Sequence, residues 1–220
     1  MGYKKTLSLL LLLLTFSYKA LAQRYDFEQY DIDKGLTQSQ VTAITQDKKR
    51  KLWIATLGGI GSFNGRNFTN YSRTNGLTSN FNVALAVDKH NNLWVGSSGP
   101  LISFNGLRFE PHRTTSFWSR KLVADKNGEI YGLRKKYLFK VEGKTEKPIN
   151  ISNDTAEYVT AIHADKLGKI WASVYKKGIF YLENGKWNHL EINNPLIAEL
   201  DISQFLVDGF VKNKLWLLSK

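Results

Sequence analysis

"NNLWVGSSGPLISFNG" (residues 91–106) restates "RKLWIATLGGIGSFNG" (residues 50–65), forty-one positions further along the chain. The tryptophan, the closing Phe-Asn-Gly and the spacing between them are kept. Such self-similarity at a fixed period is the mark of a repeat architecture. Working outward, the repeating units fall at 35–75, 76–115, 116–154 and 155–195, with a partial unit at 196–220. Their aromatic anchors are Trp53, Trp94, Tyr131, Trp171 and Trp216, spaced by 41, 37, 40 and 45. Asp47, Asp88, Asp125 and Asp165 each stand six residues before the first four anchors. Gly65, Gly106 and Gly143 stand twelve residues after the first three, and Gly185 fourteen after Trp171.

Each unit reads as four short strands. In the first these are "VTAITQ", "LWIAT", "IGSFN" and "FTNYS". The first two are joined by "DKKRK", whose counterparts are "DKHNN", "DKNGE" and "DKLGK". An Asp at the head of such a turn accepts hydrogen bonds from the turn's own N–H groups. The fourth turn position is Arg50, Asn91, Gly128 and Gly168. Asn and Gly tolerate the positive φ of a tight hairpin. Arg50 does not fit, so the first turn is either strained or of another type. No helical periodicity follows the N-terminal segment. A period near forty with four strands per period predicts an all-β fold, a β-propeller of four-stranded blades. Four to five blades are expected, leaving the propeller incomplete. Near-continuous apolar strands such as "LWIA" and "IWASV" suit sheets buried on both faces, with the anchor rings packed between blades.

The remaining composition bounds the chemistry. The 220 residues include six Trp and no Cys, which excludes disulfides, thiolate metal sites and a Cys nucleophile. Lys4 and Lys5, an apolar run from Leu7 to Phe16 and Ala20-Leu21-Ala22 read as a signal peptide over 1–22. The mature propeller domain then spans 23–220 and is exported to the periplasm. Removing Lys4, Lys5 and Lys19 with the leader lowers the formal net charge from +12 to +9. Such a balance suits nucleic acid, anionic lipid or acidic polysaccharide; export argues against nucleic acid, and a well-solvated surface accounts for most of these lysines.

The opening "GLTQSQVTAITQDKKRKLWIATLGGIGSFNGRNFTNY" runs G-L-T, a Val-Ile strand, D-x4-LW-I, then a Phe-Asn-Gly turn and F-x-x-Y. "GLTSN…DKHNNLWVGSSG" repeats it. Asp-box propellers use S/T-x-D-x-G-x-x-W, one residue shorter than "DKLGKIW" here. NHL repeats have a similar Asp-to-aromatic turn but not this opening. The chain resembles the two-component regulator propeller family, the exported sensor regions of Bacteroidetes-type histidine kinases and related regulators. "YDFEQYDIDKGL" resembles that family's lead-in to its first blade. The resemblance is strong in repeats one and two. It weakens in repeat three, where Tyr131 replaces Trp and "GLRKKYLF" replaces G-T-x-x-G.

The resemblance implies a periplasmic ligand-sensing segment, with a membrane helix and an intracellular kinase or DNA-binding module downstream. It implies polysaccharide fragments as ligands, a signalling module of the same chain as partner, and dimerisation through regions beyond this segment. The chain stops within a blade, after the Trp216 strand, and is read as the N-terminal piece of a longer receptor. An exported lyase or glycosidase and a free-standing envelope scaffold are the alternatives.

Catalytic signatures are sparse. His90, His112, His163 and His189 lack metal-ligand spacing. No phosphate loop, nucleophile elbow or H-E-x-x-H is present. Glu110, Glu142, Glu157 and Asp201 are the carboxylates that could converge across blades. No cofactor, metal site or catalytic residue is expected in this segment. Lys48 to Lys51, Lys135-Lys136 and Lys176-Lys177 are basic clusters that read as solvated hairpin turns, with recognition of anionic glycan as the alternative; the last two sit at the opposite blade end from the first, which argues against one continuous patch. Trp187 falls near the Phe68 and Phe109 position of its repeat and reads as packing. Trp118 has no counterpart in other repeats and is the candidate for stacking on a sugar ring.

Overall fold

The structure, a computed structural model, describes residues 26–112, 118–152, 157–194, 196–207 and 215–219. The signal peptide expected at 1–22 lies outside the described residues. Alternating β-branched and aromatic residues favour extended chain, and Asp- or Asn-headed turns break it every five or six residues. The result is four antiparallel four-stranded sheets, each meandering in chain order. Blade one is β1 (Val41–Gln46), β2 (Leu52–Thr56), β3 (Gly59–Phe63) and β4 (Phe68–Tyr71). Blade two is β5 (Asn82–Val87), β6 (Leu93–Ser97), β7 (Ile102–Phe104) and β8 (Phe109–Pro111). Blade three is β9 (Ser119–Ala124), β10 (Ile130–Arg134), β11 (Tyr137–Glu142) and β12 (Thr145–Ile149). Blade four is β13 (Val159–Ala164), β14 (Ile170–Val174), β15 (Gly178–Glu183) and β16 (Lys186–His189). Strands β17 (Ile202–Val207) and β18 (Leu215–Ser219) form a partial fifth.

The first strands sit side by side: β1 meets β5, β5 meets β9, β9 meets β13 and β13 meets β17. They are therefore the inner strands, around the propeller axis. Two helical turns interrupt the β pattern, a 3-10 turn at Arg73–Asn75 and α1 at Leu196–Glu199. Each is too short to show a helical period in sequence. The first is held by Ser72, whose Oγ accepts from Thr74 N while Asn75 Oδ1 accepts from Ser72 N.

The core lies between blades. Trp53 and Ile60 of blade one pack with Leu85, Val95 and Phe104 of blade two. Trp94 and Ala86 of blade two face Leu122, Ile130 and Phe139 of blade three. Leu133 and Leu138 of blade three meet Val159, Ile162 and Val174 of blade four, with Trp187 against the same cluster. Trp171 and Ile179 face Ile202 and Leu217. Blades two, three and four thus use both faces, which explains their near-continuous apolar strands. Fully burying one such Ile or Val contributes about 1.5–3 kcal/mol.

Anchor rings point toward the following blade. Trp216 has no following blade among the described residues and is 60% exposed, unlike Trp53 at 4% and Trp94 at 7%. At the other end Ile44, whose neighbour Ala43 packs toward blade two, is 61% exposed. Among the described residues, no helix is long and apolar enough to cross a membrane.

Candidate functional site

The two ends of the blades are built differently. At one end lie the turns that join first to second and third to fourth strands. There each repeat Asp has two tasks. Asp47 Oδ1 accepts from Lys49 N and Lys51 N, and Oδ2 accepts from Trp53 Nε1 at 3.1 Å. Asp88 binds His90 N, Asn92 N and Trp94 Nε1 in the same way, at 2.8, 2.8 and 3.0 Å. Asp165 does so for Leu167 N, Lys169 N and Trp171 Nε1. The six-residue spacing therefore brings one carboxylate onto both its own turn and the anchor indole. A hydrogen bond to a charged group is worth about 1.5–3 kcal/mol.

Neighbouring turns are also stitched together. Lys48 N donates to Asn91 Oδ1 at 2.7 Å, Lys89 N to Gly128 O at 3.3 Å and Lys126 N to Gly168 O at 3.0 Å. A Cβ on Gly168 would lie 2.2 Å from Lys126 N, at a φ of +70°. Glycine is required there by blade approach as well as by backbone conformation. Arg50 takes the same left-handed conformation, φ 64°, so the first turn is strained rather than of another type. It has no preceding blade to meet among the described residues, and Arg50 is exposed.

Blade three departs from this scheme. Asp125 still caps its turn through Asn127 N and Glu129 N, but Tyr131 offers no indole N–H. Instead Glu129 pairs with Lys140 at 2.5 Å and with Lys89 at 3.5 Å. The Lys140 hydrogen bond holds the Glu129 carboxyl below its ordinary value, against the effect of burial, and Glu129 raises Lys140 in return. Burial pushes the Tyr131 phenol up. A cleft of about 920 Å³ runs between the turns of blades three and four beside Tyr131, Lys140 and Lys169.

The opposite end carries the loops from second to third strand and from blade to blade. Trp118 lies here, 48% exposed, at φ 78°. Its ring sits 5.4 Å from Phe81, which backs it from the preceding interblade loop. Two residues on, Arg120 is the extra residue of a β-bulge, with Ser119 paired to Arg134 and Lys121 to Leu133. Bulges re-aim side chains and gather beside functional sites. Every inner strand has one at the same place, leaving Thr42, Val83, Arg120, Thr160 and Ser203 out of the ladder. Nothing in the sequence pattern marks them. Arg120 Nη2 donates to Thr160 O at 2.9 Å across the blade boundary, and Nε has no acceptor. Arg120, Lys121, Thr160, Ser203 and Gln204 line an axial cavity of about 210 Å³. Tyr158 and Tyr175, 45% and 40% exposed, pair at 6.3 Å near this end of blade four.

The remaining candidates are dispersed. Glu110 binds Arg108 Nε, Glu142 pairs with Lys147, and Glu157 accepts from Ile151 N and Ser152 N. With Asp201 ahead of β17, the four carboxylates belong to four different blades. Among the described residues, no three His, Asp or Glu are placed to share a metal ion. Ser103 Oγ and His112 Nε2 lie 2.7 Å apart with the imidazole stacked on Trp94 at 4.4 Å, but Nδ1 has no acceptor. The pair lacks the third group that orients a catalytic imidazole. Burial lowers the pKa of His112 and of His163, and Lys121 adds to the effect on His163.

Residues 35–58 and 76–99 match the two component regulator propeller family. No curated protein sequence matches the chain. Solved structures do. The extracellular domain of a B. thetaiotaomicron protein described as a hybrid two component system, BT3049, aligns with a TM-score of 0.65 at 16% identity, over 87% of this chain and 29% of that one. The corresponding domain of BT4673 aligns with a TM-score of 0.64 at 19% identity, over 89% and 28%. Virginiamycin B lyase from Staphylococcus aureus aligns with a TM-score of 0.62 at 14% identity, over 82% and 64%. The chain spans under a third of the length of the two extracellular domains. At these identities the likeness establishes the fold. The segments 35–58 and 76–99 thus match two-component regulator propeller repeats, within an all-β propeller of four blades and a partial fifth.

Proposed function

We propose that this chain is the periplasmic ligand-sensing segment of a two-component receptor, a sensor histidine kinase or hybrid regulator. The observation that carries the reading is the family match at 35–58 and 76–99. The shared fold with extracellular domains of hybrid two-component systems supports it. The segment performs no chemistry itself. Oligosaccharide binds at the loop end of the blades, where Trp118 offers an exposed ring backed by Phe81. Binding there favours one packing of the receptor over another, and a downstream module of the same chain, dimerised through regions beyond this segment, reads the difference. The test is calorimetric titration of the purified chain with a panel of polysaccharide fragments. Saturable binding that Trp118→Ala abolishes, with an unchanged melting temperature, supports the reading.

A second reading, an exported propeller lyase or glycosidase, draws on the likeness to virginiamycin B lyase. Release of cleaved product from any fragment in the same panel favours it and sinks the non-catalytic reading.

A further inference from the structure

We infer that the loop end of blades three and four recognises acidic saccharides, through their carboxylate or sulfate groups. The inference rests on the sensing role proposed above and names the ligand class for that end. Arg120 and Lys121 follow directly on Trp118 and line the axial cavity. Lys135 and Lys136 form the loop between β10 and β11, and Lys176 stands in the corresponding loop of blade four. All five belong to one end of the propeller, because antiparallel order places these loops opposite the Asp turns. None of the five is in an ion pair among the described residues.

Two of the acids at this end are engaged. Glu146 is buried against Arg134. Glu157 is buried and accepts from Ile151 N, Ser152 N and Ser152 Oγ. Glu191 and Asp201, ahead of β17, offset the positive charge there only in part. A low-dielectric wall strengthens its attraction for an anion. Arg120 is the fixed element, held beside the axial cavity by the bond from Nη2 to Thr160 O, with Nε buried. Guanidinium and carboxylate or sulfate match in geometry, and such charge-assisted bonds are about twice as strong as neutral ones.

Trp118, Lys135 and Lys176 at this end hold positive φ, at 78°, 48° and 60°. Lys135 and Lys176 take it in short hairpin turns, as Arg50, Asn91 and Asn184 do at the Asp-turn end. Trp118 is in an interblade loop, and its strain is the kind that gathers at ligand sites. Lys136 and Lys176 ammonium groups lie over the Tyr137 and Tyr175 rings at 5.5 and 5.6 Å. Charge and stacking surface thus alternate along these loops, as binding of an acidic sugar chain requires.

The test compares dissociation constants of the purified chain for two acidic probes and their neutral counterparts. Short oligogalacturonates supply carboxylates, and sulfated dextran fragments supply sulfates. Xylo-oligosaccharides and unsulfated dextran are the neutral arms. At least one acidic probe should bind about tenfold more tightly than the neutral arms, less so at raised salt. Which of the two does so identifies the source of the charge. Lys136→Gln with Lys176→Gln should weaken that probe about tenfold. Lys48→Gln with Lys49→Gln removes the same charge at the Asp-turn end and should leave it unchanged. Equal loss in both double variants overturns the inference, since net charge alone then accounts for binding. Neutral probes binding as tightly as acidic ones also overturn it, while the sensing role stands. No saccharide binding of either kind defeats both.

Discussion

The Asp-turn end and the loop end of the blades obey opposite rules. At the Asp-turn end, successive blades solve one problem in one way. A carboxylate closes the turn, an indole is tied to it, and a lysine N–H reaches the next turn. At the loop end the connections differ in sequence, and those from second to third strand hold from two to four residues. Trp118, Tyr137, Tyr158 and Tyr175 are left exposed there. Uniform chemistry marks the end that holds the blades in place. Irregular chemistry marks the end free to be shaped by a ligand.

This contrast breaks most visibly if the anchors prove dispensable. Trp94→Ala should cost about 3–5 kcal/mol, read as a fall in chemical-denaturation midpoint. A loss below one kcal/mol would mean that the rings do not hold the blades together.

Turn glycines sharpen the comparison next. Gly168→Ala strains the backbone and drives a Cβ to 2.2 Å from Lys126 N. It should cost about 2 kcal/mol or more. Gly65→Ala has the same φ problem, at +94°, but nothing lies within 4 Å of its Cβ. Its cost should stay near 1 kcal/mol. Equal losses would show that blade approach contributes nothing. Asp88→Ala should likewise exceed Asp125→Ala by about 1.5 kcal/mol, because only Asp88 holds an indole.

The pH response is smaller. Burial lowers the pKa of His112 in the folded chain, so the unfolded chain binds the extra proton first. Stability should therefore fall as pH drops through about 6.5 and level off below the folded value. His112→Gln should flatten that slope. An unchanged slope assigns it to His163, which shifts in the same direction.

Smallest in stability is Trp118→Ala. Its half-exposed ring should be worth under about 1 kcal/mol, while ligand affinity drops about tenfold in the titration described above. A large fall in melting temperature would move Trp118 to the structural side of the comparison.

What the sequence made legible divides along the same line. The period, the strands and the recurrence of Asp before an aromatic could be read directly, because every blade meets the same neighbours. The reason for the six-residue interval could not, since it is a bond from indole to the second carboxylate oxygen. Exposure of Trp216 depends on a neighbour absent among the described residues, and its own unit reads like the others. Trp118 was visible as the tryptophan without a counterpart. The placing of Arg120 and Lys121 on the axial cavity was not, because a bulge leaves no trace in an apolar pattern.

The bulges carry one more consequence. Thr42, Val83, Arg120, Thr160 and Ser203 stand one per blade at the same height around the axis, and none is paired in a ladder. A residue outside the ladder can change size or charge without shifting strand register. These positions are joined around the axis, since Thr42 Oγ1 donates to Asn82 O and Arg120 Nη2 to Thr160 O. A change of side chain at one of them alters the lining of the axis and its contact with the neighbouring blade while strand register is kept.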